Sequence, residues 1–294
     1  MRGFTTPTDR IILAAFVLSV VLVGALIAVP VLHAVQLSFY QAQSFVSERQ
    51  FVGLANYTRV LADPLFWKAF ALGLGFAVVA MGLQLVLGIG FAMLLNRPFP
   101  GRALVRGAAV LPYLLPTVVI AVTAHWLLDG AFGLFTLWAQ QMGFGRPAWY
   151  DHPVSAALLV IIASVWTWTP FVTITFLAGL QTIPSSLYEA ARVDGAGAWM
   201  RFWHVTLPML KPVLLVVVLL RSIWMFNKFD IVWLLTKGGP LGATEHLPVL
   251  SYRKAFNQFD VGGGAAVATL SFLVLSVMIA IYFWRFPLDD KAAS

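Results

Sequence analysis

Apolar residues in this chain come in long, nearly unbroken blocks, and the blocks cover residues 11–37, 70–95, 105–128, 154–180, 212–235 and 265–283. A helix needs about 20 such residues to cross the hydrocarbon core of a bilayer, where only helices and closed barrels satisfy their own backbone polar groups. Barrel strands are about 10 residues of alternating polarity, and none of these blocks has that form. The pattern predicts an all-α, polytopic membrane protein with six transmembrane helices, organised as a single membrane domain over 1–294.

The polar residues between the blocks orient them. An even number of spans puts both termini on one side, and an excess of Lys and Arg marks the cytoplasmic side. With the termini inside, the cytoplasmic segments hold Arg2, Arg10, Arg97, Arg102, Arg106, Arg192, Arg201, Lys211, Arg285 and Lys291. The longer outer segments hold Arg49, Arg59, Lys68, Arg146, Lys237, Arg253 and Lys254. The loop "NRPFPGRALVR" (96–106) is the clearest case, with three Arg and no acid. The first apolar run is too long for a signal-peptide core of about 7–15 residues and reads as an uncleaved span. The expected location is a bacterial or archaeal cytoplasmic (inner) membrane, with multiple passes and both termini cytoplasmic.

Composition agrees. Hydrophobic residues make up 60% and charged residues 11%, against about a quarter charged in soluble domains. The net charge of +7 does not point to nucleic acid, because the basic residues lie between apolar runs and form no exposed stripe. There is no cysteine, and the five His residues show no i, i+4 pairing, so no metal site is expected. No G-x-x-x-x-G-K-[ST] and no G-x-S-x-G occurs, which removes the phosphate cradle and the nucleophile elbow.

One cytoplasmic interval, 184–208, is unlike a turn. "PSSLYEAARVDGAGAWMRFWHVTLP" starts as a helix at Pro184 with Glu189 in its early turns, breaks at Gly195 and Gly197, and resumes with Trp199, Phe202 and Val205 at helical spacing. Two short helices at an angle follow. They suit either an amphipathic anchor in the headgroups or a docking surface, and the small Ala190 and Ala191 would let a partner backbone approach. Two further stripes carry polar and aromatic residues within apolar blocks: Ser164, Thr167, Trp168 and Phe171, and Arg221, Trp224, Met225 and Lys228, each at i, i+3, i+4 and i+7. A cation near mid-span costs at least about 2.5 kcal/mol on insertion scales, so the Arg221 face is expected to look into protein or an aqueous cavity. Helix packing accounts for the first stripe equally well, and snorkelling for Lys228. Pro112, Pro116 and Pro170 lie within blocks and predict kinks.

"EAARVDGAGAWMRFWHVTLP" resembles the EAA loop of ATP-binding-cassette importer permeases. "FVGLANY" (51–57), "LPYLLP" (111–116) and "FDIVWLLTKGGP" (229–240) are similar, in the same order, to the maltose-type, carbohydrate-uptake branch of that family. The longest members carry extra N-terminal spans and a large outer domain for which these residues hold no counterpart. The resemblance implies that Glu189, Ala190, Ala191, Asp194 and Gly195 form a coupling helix seated on an ATPase. It also implies that Thr117, Ser164, Thr167, Trp168, Phe171, Arg221, Trp224, Met225 and Lys228 line a substrate pathway. The implied partners are a second homologous permease subunit, a dimer of ATPases holding ATP and Mg, an extracytoplasmic sugar-binding protein and membrane lipid, with no nucleic acid and no cofactor on this chain. The implied function is sugar or small-glycoside import by alternating access rather than an enzymatic reaction. Arg221 and Lys228 leave an anionic sugar derivative or polyol phosphate open. An ion-coupled transporter would need intramembrane acids, and Asp230 alone lies near a span.

Overall fold

A computed structural model describes residues 7–42 and 48–286. In chain order the elements are α1 (Pro7–Leu37), β1 (Tyr40–Gln41), β2 (Gln50–Phe51), α2 (Ala55–Ala62), α3 (Pro64–Asn96), α4 (Arg102–Leu114), α5 (Thr117–Leu127), α6 (Leu134–Gln141) and α7 (Pro153–Thr182). There follow α8 (Ser185–Val193), α9 (Ala198–Arg201), α10 (Leu207–Met209), α11 (Lys211–Phe226), α12 (Asp230–Thr236), α13 (Leu247–Tyr252) and α14 (Val261–Arg285). Arg2 and Lys291, counted above with the cytoplasmic charges, lie outside the described residues.

Four helices are long and apolar enough to cross a membrane: Ile11–Leu37, Pro64–Asn96, Pro153–Thr182 and Val261–Arg285. The number among the described residues rises to six if each of two bent pairs counts as one span. The first pair is α4 with α5, and it turns by 90° where Leu115 and Pro116 interrupt the helix. A kink was expected there. The larger bend follows from the "PYLLP" spacing: Pro116 holds Leu115 out of the α region, and Leu115 is extended at ψ 134.

The second pair joins Ala198–Met209 to Lys211–Phe226 at 70°, and a separate difference from the expected spans lies at the other end of α11, within the fifth block. α11 stops at Phe226 after 16 residues, about 24 Å at 1.5 Å per residue and shorter than the hydrocarbon core. Residues 227–229 are not helical, and Asp230 opens α12. Hydropathy summed over 212–235 hides this break because apolar residues surround "NKFD".

The chain divides into two compact units. One contains the residues through Phe66 together with Ser251–Val274. Here β1 and β2 pair antiparallel, Tyr40 with Phe51, and the buried Asn56 amide donates to the carbonyls of Ser38 and Tyr40 at 2.9 Å each. Arg59 pairs with Asp260 at 3.0 Å, and Lys254 with Asp63 at 3.2 Å. The Asp63 carboxyl is lowered below its ordinary value: its burial opposes the shift, and the Leu65 amide with Lys254 and Arg253 outweighs it. "VGGG" (261–264) begins α14 against this hairpin, and a Cβ on Gly262 would run into the Tyr40 carbonyl oxygen. Backbone cannot yield as a side chain does. Gly262→Ala is therefore expected to displace the hairpin and lower the melting temperature of the purified protein by several degrees, about 2 kcal/mol of overpacking, and an unchanged melting curve would show that the hairpin moves freely.

The other unit contains Trp67–Leu250 and the residues from Leu275 onward. Its apolar core joins Ala92 and Leu95 of α3, Val172, Phe176, Leu177 and Leu180 of α7, and Leu210 and Val217 around the start of α11. Tyr188 of α8 packs on that core, which holds the 184–208 interval against the helix ends.

Candidate functional site

The two stripes meet around a polar contact that no single helix reveals. Arg221 on α11 is 1% exposed. Its Nε and Nη2 donate to Gln84 Oε1 of α3 at 2.8 and 2.6 Å. Gln84, itself fully buried, turns its amide nitrogen to the Ser164 carbonyl of α7 at 3.2 Å and to Met225 Sδ at 3.6 Å. Arg221 Nη2 also lies 3.4 Å from Met225 Sδ. One amide thus ties α3, α7 and α11 together and supplies the guanidinium with a strong dipole where lipid offers none. Ser164, Arg221 and Met225, expected to line a pathway, are enclosed by protein, and the Ser164 hydroxyl has no hydrogen-bond partner among the described residues.

Further along, the break after α11 turns the remaining groups toward one another. The Lys228 ammonium stands 3.8 Å over the Trp168 ring and 2.9 Å from Asp230 Oδ1. Thr117, the first residue of α5, donates to Asp230 Oδ2 at 2.8 Å. α5 and α12 are joined again where His125 Nε2 meets the Leu234 carbonyl at 3.1 Å. The carboxylate therefore links the α4–α5 bend to the α11–α12 break. The aromatic side of the same region is formed by Phe171, whose ring centroid is 5.3 Å from Trp224 and 6.2 Å from Tyr113. Trp224 is 41% exposed beside these groups, with the Arg221 guanidinium carbon 5.6 Å from its ring centroid. Thr167 is buried and donates to the Ala163 carbonyl at 2.7 Å, a bond within its own helix.

His246 supports the break from behind. Its Nε2 donates to the Lys228 carbonyl, which the missing helical turn leaves without a backbone donor. Burial pulls the imidazole down to about 4, so it is neutral and can hold this tautomer at ordinary pH. It also lines a cavity of ≈ 390 Å³ with Lys68, Phe76, Val160, Val232 and Thr244.

Five of the expected pathway residues thus gather at one place: Trp168, Phe171, Trp224, Lys228 and Thr117. Gln84, Asp230, Tyr113 and His246 were not assigned to it from sequence. Gln84 did leave a signal, as the only amide in an apolar block of 26 residues, 70–95. Asp230 was visible as the one acid within an apolar block. Nothing in the sequence pairs either with its partner, 137 and 113 positions away.

The 184–208 interval forms the expected elbow. α8 ends in a Schellman motif: the Gly195 amide donates to the Arg192 carbonyl at 3.1 Å and the Ala196 amide to the Ala191 carbonyl at 2.8 Å. Gly195 takes φ +78, which suits glycine, and a Cβ there would meet no atom within 4 Å. Glu189, Ala190, Asp194 and Gly195 are exposed, Ala191 partly so. After the corner, Pro208 lacks an amide hydrogen and would clash with the carbonyl four residues back. The backbone widens into a π-helical turn over Phe202–Thr206, and the Tyr188 hydroxyl meets Thr206 Oγ1 across the corner at 3.1 Å.

Residues 84–287 match the family described as the binding-protein-dependent transport system inner membrane component. The trehalose/maltose transport system permease protein MalF of Thermococcus litoralis is 39% identical over 265 residues, 90% of this chain and 89% of that protein. The sulfoquinovosyl glycerol transport system permease protein SmoG of Agrobacterium fabrum is 33% identical over 264 residues, 89% of this chain and 85% of that one. Among solved structures, a chain of a bacterial ABC transporter involved in the import of the acidic polysaccharide alginate superposes with a TM-score of 0.83 at 19% identity, covering 95% of this chain and 96% of that one. The chain therefore belongs to the family of binding-protein-dependent transport system inner membrane components, the permeases of ATP-binding-cassette importers.

Proposed function

We propose that this permease carries a neutral sugar or small glycoside, and that the substrate passes the exposed face of Trp224 beside Lys228, Asp230 and Trp168. The observation that carries the reading is the Lys228 ammonium held at once over an indole and against a carboxylate at a helix break. Aromatic faces stack on the apolar side of a pyranose, and a lysine with a carboxylate offers both a donor and an acceptor to its hydroxyls. The charge balance favours a neutral substrate: Asp230 offsets Lys228, and Arg221 is already engaged by Gln84. An anionic sugar is the second reading, favoured by the sulfonated glycoside in the name of the SmoG relative.

In this reading the six spans are α1, α3, the bent α4–α5 pair, α7, α11 continued through its break into α12, and α14. Both termini are cytoplasmic by the distribution of Arg and Lys, so α8 faces the cytoplasm as the coupling helix. A second, homologous permease completes the pathway, an extracytoplasmic binding protein delivers the sugar, and ATP with Mg is bound and hydrolysed on partner ATPases.

Trp224→Ala and Lys228→Gln are each expected to lower ATP-dependent uptake by about tenfold or more, the worth of one lost aromatic stacking contact for the first and one lost charge-assisted hydrogen bond for the second, with subunit assembly intact. Uptake by membrane vesicles and copurification of the subunits check this together. Unchanged uptake in both variants would remove the pair from the pathway. Inhibition of uptake by uronic acids but not by the matching neutral glycosides would transfer the assignment to an anionic sugar.

A further inference from the structure

An apolar groove of ≈ 840 Å³ lies between α3, α4 and α7, apart from the polar cluster. Leu83, Leu87, Phe91 and Leu94 of α3 form one wall, and α7 faces it from Ile162 to Thr173. The 12 residues from Leu83 to Leu94 rise about 17 Å, close to half of a hydrocarbon core of about 30 Å. Leu83 sits a little past the middle of the 33-residue α3, so the groove runs from mid-span to one end of that helix. At that end Phe99 and Val105 close its mouth, and both belong to the loop with three Arg and no acid. Arg106 is committed there, donating twice to the Leu95 carbonyl at 3.2 and 2.8 Å. Arg97 and Arg102 are exposed, and their guanidiniums have no hydrogen-bond or ion-pair partner among the described residues.

We propose that this groove is a binding site for one anionic phospholipid of the leaflet on the Arg97 side. An acyl chain lies along Leu83, Leu87, Phe91 and Leu94, and the phosphate is held by Arg97 and Arg102. The length of the groove suits one leaflet's chain, and two free guanidiniums at its mouth suit a headgroup of net negative charge. A transmembrane helix of another subunit would match the apolar walls but would leave both arginines without a counter-charge. The site is independent of the sugar assignment and requires only that the chain be embedded in a membrane.

Native mass spectrometry of the intact transporter, exchanged into micelles containing equal phosphatidylglycerol and phosphatidylcholine, tests the site. The unaltered protein is expected to retain phosphatidylglycerol with a preference on the order of tenfold, given the attraction of two arginines near a charged surface. Arg97→Gln with Arg102→Gln is expected to reduce that preference to about parity. Ala108→Trp on α4 fills the groove and is expected to abolish retention of both lipids; Leu87→Trp, from the opposite wall, repeats the test should the first variant fail to assemble. Equal retention of the two lipids by the unaltered protein, or retention unaffected by either tryptophan, overturns the proposal. So does loss of a subunit rather than of lipid in the tryptophan variants, which would make the groove a protein interface.

Discussion

Replacing Gln84 with Leu is expected to destabilise the permease by about 3 kcal/mol, because it leaves a buried guanidinium without its carbonyl acceptor. The cost of an unmade hydrogen bond to a charged group exceeds the net gain from making it, and Arg221, enclosed by α3, α7 and α11, cannot reach water. The second half of the expectation separates charge from packing. Gln84→Leu combined with Arg221→Met removes both partners and fills similar space, and such exchanges of buried ionic groups are close to neutral or stabilising. Thermal unfolding of the four proteins in this double-mutant cycle is the measurement. A double variant as unstable as the single would show that the Gln84 side chain acts through its shape. Arg221→Met alone should cost less than Gln84→Leu alone, since a neutral amide left unpaired costs less than a charge.

The elbow provides the other large effect. Glu189→Gln and Gly195→Ala are each expected to lower ATP-dependent uptake by about thirtyfold or more, as loss of a central docking residue does at protein interfaces. For Gly195 two causes are distinguishable. Alanine pays about 1–2 kcal/mol in the left-handed region, whereas asparagine tolerates it, and neither meets an atom of this chain within 4 Å at Cβ. Gly195→Asn retaining uptake while Gly195→Ala loses it would assign the effect to the Schellman turn. Equal loss in both would assign it to close approach of a partner at the exposed corner. Full uptake and full copurification of the ATPase in all three variants would end the docking role of α8.

Much of this was legible along the chain. The apolar blocks located α1, α3, α7 and α14 within a few residues, because a helix in lipid must carry its own hydrogen bonds and its length is set by the bilayer. The elbow was legible too: its signals are local, with Pro184 before the first turn and Gly195 after the last. The stripe on α7 was read at the right spacing, yet its members divided. Ser164 and Thr167 face protein, and Trp168 and Phe171 face the α11–α12 break and Trp224. Periodicity identifies a face, but it cannot say which neighbour covers each part of that face. The break at 227–229 was missed for a related reason. Hydropathy averages over a window, and three residues that leave the helix inside an apolar block barely change the average.

The sequence by itself determined that this chain lives in a membrane, roughly where it crosses, and that one polar elbow interrupts it, since these depend on bulk transfer energies and local backbone chemistry. Only the tertiary structure decided that Gln84 serves Arg221, that Asp230 joins Thr117 to Lys228, and that His246 caps the broken turn. Those choices come from helices far apart in sequence meeting in a medium without water, where each polar group must find its partner inside the protein.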